Sequence, residues 1–106
     1  MKTHQDIDSR SLAMAREIVK KIEEDPERKG LEIARSVCKR WNLRRPSTAV
    51  SEWLEILEKP WAEIRAILLD KEERGKRLRQ NSPFGSVLSN RERWQIYREF
   101  QKHDTN

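Results

Sequence analysis

Apolar residues recur every three or four positions along most of the chain, a spacing that predicts a succession of short amphipathic helices. The first stripe is Leu12, Ala15, Ile18, Val19 and Ile22, with Lys20, Lys21, Glu23 and Glu24 on the wet face. Asp8 or Ser9 is placed to cap this helix. Asp25-Pro26 ends it and starts the next, because proline fits a first turn and disfavours helix in the residue before it. The second stripe is Leu31, Ala34, Val37, Cys38 and Trp41, stopping before Arg44-Arg45-Pro46; Gly30 is a weak point near its start. Ser47 or Thr48 caps a third helix with Val50, Trp53, Leu54 and Leu57 inward, and Lys59-Pro60 breaks it. Trp61, Ile64, Ile67 and Leu68 form the fourth stripe. Asp70 and Glu73 have capping-box spacing and open a charged segment that reaches Gln80, and residues 90–101 form the last helix. No stretch alternates with a period of two, and no Asn-Gly or Asp-Gly hairpin signal occurs. The expected fold is all-α, a small bundle of five to six short helices in a single domain 1–106, with 1–8 and 102–106 as frayed tails.

Residues 78–94 interrupt this regularity and are locally over-specified. Asn81, Ser82, Pro83 and Gly85 are turn formers, and they surround one aromatic, Phe84. Val87 and Leu88 follow as apolar anchors. Ser89 and Glu92 then have the S-x-x-E spacing in which each side chain satisfies a free backbone N–H of the other residue. The helix beyond carries Trp94, Tyr97 and Phe100. Exposing Phe84, Val87 and Leu88 together is unfavourable, so the loop is either a packed keystone or a surface built for recognition.

Composition sharpens this picture. At 106 residues the chain suits one domain with a modest core, and a charged fraction of 39% against 35% hydrophobic suits thin, well-wetted helices. Four tryptophans argue against disorder. Trp41, Trp53, Trp61 and Trp94 all fall on apolar stripes, and a bundle this small strains to bury four indoles. Trp61 and Trp94 are the ones expected to remain partly exposed, as anchors for a partner. The net charge of +5 favours acidic partners, nucleic acid or protein, without choosing between them. A single cysteine and no apolar run of spanning length point to a reducing cytoplasm and no membrane association.

Five basic residues and no acid lie between positions 33 and 51: Arg35, Lys39, Arg40, Arg44 and Arg45. These are the candidate nucleic-acid contacts, although cations near a helix C-terminus also have a structural explanation. In the charged segment, Glu72 is spaced to pair with Lys76 and Glu73 with Arg77, which leaves Lys71, Arg74 and Arg79 freer, joined across the loop by Arg91 and Arg93. A solvated face and a binding face both stay open for these groups. A helix-turn-helix reading across Arg44-Arg45-Pro46 is weak, since the following helix carries Glu52, Glu55 and Glu58 toward the phosphates.

Catalysis finds little support. His4 and His103 sit in the two polar tails, Cys38 lies on an apolar face, and the three glycines are scattered. No catalytic residue, metal ligand or cofactor is expected.

The segment Leu78-Arg79-Gln80-Asn81-Ser82-Pro83-Phe84-Gly85, with Val87-Leu88-Ser89 and Arg91-Glu92-Arg93-Trp94, resembles a family of short all-helical bacterial proteins. Ser11-Leu12-Ala13 and Glu24-Asp25-Pro26 resemble that family's N-terminal pattern. The resemblance implies an antitoxin or similar accessory protein encoded beside a larger partner gene, and it supplies no catalytic residues. The resulting expectation is a cytoplasmic antitoxin-like protein that binds and restrains a partner protein through Arg79, Asn81, Phe84, Arg91, Arg93 and Trp94. The alternative is a DNA- or RNA-binding regulator acting through the 35–45 cluster. Homo-oligomerisation stays open.

Overall fold

The computed structural model of the chain describes the backbone of residues 4–104 and the side chains of residues 8–99. It is all-α, with no strand among the described residues. The helices are α1 (His4–Glu24), α2 (Lys29–Arg44), α3 (Thr48–Leu57), α4 (Trp61–Leu68), α5 (Glu73–Arg79) and α6 (Asn90–Asp104). A single 3-10 turn (Gly85–Val87) lies between α5 and α6. α1 is the hub, packing on α2, α4, α5 and α6, while α2 packs on α3 and on the 3-10 turn.

The apolar stripes close over one core. Ala15, Ile18, Val19 and Ile22 of α1 meet Leu31, Ala34 and Cys38 of α2, Trp53, Ile56 and Leu57 of α3, Ile64 and Leu68 of α4, and Leu78 of α5. Phe84, Val87, Leu88 and Ile96 complete it from the C-terminal part of the chain. The Cys38 thiol is buried, approaches the Val50 carbonyl oxygen at 3.7 Å, and has its pKa pushed up by burial, as befits a small core residue.

The helix boundaries differ from the sequence reading in three places. α1 starts at His4 rather than at an Asp8 or Ser9 cap, so the expected N-terminal tail is helical from residue 4; residues 1–3 lie outside the described residues. α6 likewise reaches Asp104, past the expected end at 101, and residues 105–106 lie outside the described residues. Extending an existing helix costs little once its nucleus is formed, so polar flanks join it readily. Between α1 and α2 the chain makes a separate turn. The Asp25 carboxylate accepts hydrogen bonds from the Lys29 and Glu27 backbone N–H groups at 2.9 and 3.1 Å, and these hold its pKa below the ordinary carboxylate value. Arg28 closes that turn in the left-handed region at φ 52°, with its guanidinium over the Trp61 ring at 5.3 Å.

Of the four caps expected from the sequence, two form. The Ser47 hydroxyl accepts from the Val50 N–H at 3.1 Å. Ser89 and Glu92 make the reciprocal box, at 2.7 Å for the Ser89 N–H to the Glu92 carboxylate and 3.1 Å for the return bond. The Asp70–Glu73 box does not form: Asp70 instead accepts from the Glu72 N–H at 3.0 Å. α5 starts at Glu73 with Glu72 in the cap position, so Asp70 lies two residues too early to cap it. α5 also approaches Asp70 closely: a Cβ on Gly75 would lie 2.3 Å from the Asp70 carbonyl oxygen. Gly30 marks a similar approach, since a Cβ there would meet Ile22 at 2.8 Å.

Candidate functional site

Phe84 is a keystone. It has no exposed surface and meets Trp53 edge-on, with ring centroids 5.7 Å apart and planes inclined by 64°. The Trp53 indole N–H donates to the Leu78 carbonyl at 3.0 Å, which ties the start of the loop to the same ring pair. Pro83, Val87 and Leu88 are buried beside it. The expectation of Phe84 as a partner contact is therefore corrected: a turn-rich segment has no periodicity to orient it, and burial of the ring decided which way it faces.

Arg79 is corrected with it. Only 9% exposed, it donates from Nε to the Ser11 hydroxyl at 3.0 Å and from Nη1 to the carbonyls of Leu68 and Asp70 at 3.1 and 2.5 Å. Burial lowers its pKa, an effect opposed by the carboxylates of Asp70 and Asp8. This guanidinium satisfies the C-terminal carbonyls of α4 and clamps α1, α4 and α5, so it offers nothing to a partner.

The rest of the charged segment is also occupied differently from the sequence reading. The Glu72–Lys76 and Glu73–Arg77 pairs are absent. Arg77 instead makes a two-pronged pair with Glu52 of α3 at 2.8 and 3.2 Å, and Arg74 lies 3.6 Å from the same carboxylate. Lys76 pairs with Asp8 and Glu73, each at 3.6 Å. Glu52 is held below its ordinary pKa chiefly by the Arg77 hydrogen bond. A 780 Å³ cleft between the start of α1 and α5 is lined by Asp8, Glu73, Lys76, Arg77 and Arg79 from these contacts and by Lys71, which pairs with no described carboxylate.

Asn81, Arg91 and Trp94 do face outward. Trp94 is 58% exposed and packs one edge against Tyr97, at 6.1 Å and 81°. Arg93 is half-buried and donates to the Asn90 side chain at 2.8 Å. Trp61 is half-buried, as expected, and its indole N–H donates to Glu23 at 3.1 Å.

The basic cluster divides in two. Arg35 is structural: its Nε and Nη2 donate to the Leu57 carbonyl at 3.3 and 3.2 Å, and it pairs with Glu32. It thus neutralises the C-terminus of α3, which removes it from the candidate nucleic-acid contacts. Lys39, Arg40, Arg44 and Arg45 are exposed, and none pairs with a carboxylate among the described residues. Ile33, Ser36, Arg40 and Leu43 lie on one outer face of α2 at i, i+3, i+7 and i+10, opposite the buried Leu31, Ala34 and Cys38. Leu43 is 84% exposed and Ile33 42%. Around the end of the helix, Trp41, 37% exposed, lines a 270 Å³ depression with Arg44, Arg45 and Val50. The sequence signal for this site was visible in part: Ile33 and Leu43 sit off the inward stripe, but a pair of aliphatics ten residues apart reads as noise beside five cations.

No protein-family model, curated protein or solved structure matches the chain. Among the described residues no three His, Cys, Asp or Glu side chains converge as metal ligands, and no helix is long and apolar enough to cross a membrane. His4 and His103, named above, have side chains outside the described residues.

Proposed function

We propose that the chain is a binding protein that docks an acidic partner protein on the outer face of α2 and restrains it, as an antitoxin does. The observation that carries this reading is the pairing of Leu43 and Ile33, exposed aliphatics on one helix face, with the uncompensated cations Lys39, Arg40, Arg44 and Arg45. An apolar centre inside a charged rim is the anatomy of a protein interface. Phosphate recognition needs the cations but has no use for Leu43, and α3 behind them presents Glu55 and Glu58 to solvent. That arrangement favours a protein over a DNA duplex. The reading is non-catalytic: Arg79 serves the carbonyls at the end of α4 and Cys38 the core, so neither is offered to a substrate.

The test is co-purification of the tagged chain expressed with its neighbouring genes, followed by mass spectrometry of what remains bound. A stoichiometric acidic protein is expected, lost on Leu43→Asp and on Arg40→Glu with Arg44→Glu, and retained on Trp94→Ala. Recovery of nucleic acid alone, stripped by salt, overturns the reading.

A further inference from the structure

α6 carries a second exposed constellation that the partner reading does not use. Arg91, Trp94 and Arg98 recur at i, i+3 and i+7, so they share one face of the helix, and all three are exposed. Trp94 is the most exposed of the four tryptophans. Its ring is braced from behind by Tyr97, and Tyr97 is in turn covered by the Arg10 guanidinium of α1 at 4.9 Å from its ring centroid. The indole face is therefore presented on a fixed support rather than on a free rotor.

Arg10, Arg91 and Arg98 have no carboxylate partner among the described residues. Glu92, two residues before Trp94 in the sequence, is engaged by Lys21 of α1 at 2.8 Å. Glu99 lies about 140° around the helix from Trp94 by helical geometry. No exposed aliphatic side chain accompanies the ring on this face, in contrast to α2.

We infer that the Arg91–Trp94–Arg98 face of α6 binds single-stranded nucleic acid, Trp94 stacking on a base while Arg91, Arg98 and Arg10 contact the flanking phosphates. A flat aromatic platform flanked by cations recognises an unpaired base through its π-face and the backbone through charge, with little preference for sequence. A duplex hides its base faces, so only a single strand can use the indole. Three phosphate contacts set the salt dependence, with a log–log slope near −2 for a single strand. The inference is independent of the α2 interface, since no residue is shared.

The experiment is fluorescence anisotropy of a labelled 12-nucleotide oligouridylate with the full chain, titrated at several salt concentrations. Binding at low salt with a slope near −2 is expected, and a blunt duplex of equal length should bind more weakly. Trp94→Ala should weaken binding roughly 5- to 100-fold, the range for one lost stacked base. Arg91→Gln with Arg98→Gln should weaken it further and flatten the slope, with the thermal midpoint of each variant unchanged. Absence of binding at low salt overturns the inference. So does an affinity that survives Trp94→Ala but is lost with Arg40→Gln and Arg44→Gln, which places the anion on α2. Displacement of the oligonucleotide by polyglutamate at equal charge concentration also overturns it, because the face is then a general acidic-protein surface.

Discussion

Phe84 in the loop and Glu92 in the first turn of α6 show how one residue can be decided by packing and another by charge. Phe84 is wholly buried against Trp53, so Phe84→Ala leaves a cavity that its neighbours cannot fill. A loss of about 3–5 kcal/mol is expected in urea unfolding, with partner binding unchanged in the fraction that remains folded. Glu92 illustrates the second case. The hydrogen bond from Lys21, with a smaller contribution from the Ser89 N–H, holds its carboxyl down to about 2 from an ordinary 4.5. A carboxyl with a depressed pKa in the fold is protonated first in the unfolded chain, so its stabilisation is complete above 4.5 and is lost as pH falls toward 2. Glu92→Gln should therefore flatten the fall in stability over that window, read as the thermal midpoint against pH, and Lys21→Met should flatten it partly. Both residues were prominent in the sequence, but only Glu92 had a legible role. The Ser89–Glu92 box is a local contact that its spacing suggests, whereas the direction of Phe84 depends on Trp53, a residue of a distant helix.

At the level of elements, the stripes of α1 to α4 and the stops at Asp25-Pro26, Pro46 and Pro60 were readable because each depends on local chemistry. The tertiary use of α5 was not. Its charged residues suggested a self-contained helix with internal pairs, yet Arg77 and Arg74 reach Glu52 on α3, and Arg79 turns inward to the end of α4. Local spacing offers the pairs Glu72–Lys76 and Glu73–Arg77, each worth only a few tenths of a kcal/mol, so a two-pronged contact to a neighbouring helix prevails. Gly75 makes that docking possible. Gly75→Ala places a methyl group 2.3 Å from a backbone oxygen that cannot rotate away, and α5 must shift. The expected cost is about 1–3 kcal/mol in denaturant unfolding. The same substitution would stabilise an exposed helix, so its sign tests the packing directly. Trp41, on the inward stripe by its spacing, is 37% exposed, because that stripe runs to the last turn of α2, where the residue lines an open depression with Arg44, Arg45 and Val50.

Across the whole molecule, the excess positive charge is not spread evenly. Asp8 and Glu23 of α1, Glu52 of α3 and Glu92 of α6 are drawn into pairs. Among the described residues, Lys39, Arg40, Arg44 and Arg45 form a run at the outer face and end of α2 without a carboxylate partner, while the other unpaired cations, such as Arg16, Lys20, Lys59 and Lys71, are scattered singly. This segregation separates two contributions to partner binding that are often merged. Arg40 and Arg44 lie on the rim and act at a distance, so they should govern encounter; Leu43 acts on contact, so it should govern residence. With the partner immobilised and binding followed in real time, Arg40→Gln with Arg44→Gln should slow association about tenfold at low salt and remove most of its salt dependence. Leu43→Ala should leave association nearly unchanged and speed dissociation, also by about tenfold. Neither change touches the core, so unfolding free energies should stay within about 0.5 kcal/mol of wild type. A uniform loss of affinity through dissociation alone in both variants would show that the cations are buried in the contact, and would move the centre of the interface from Leu43 to the end of the helix around Trp41.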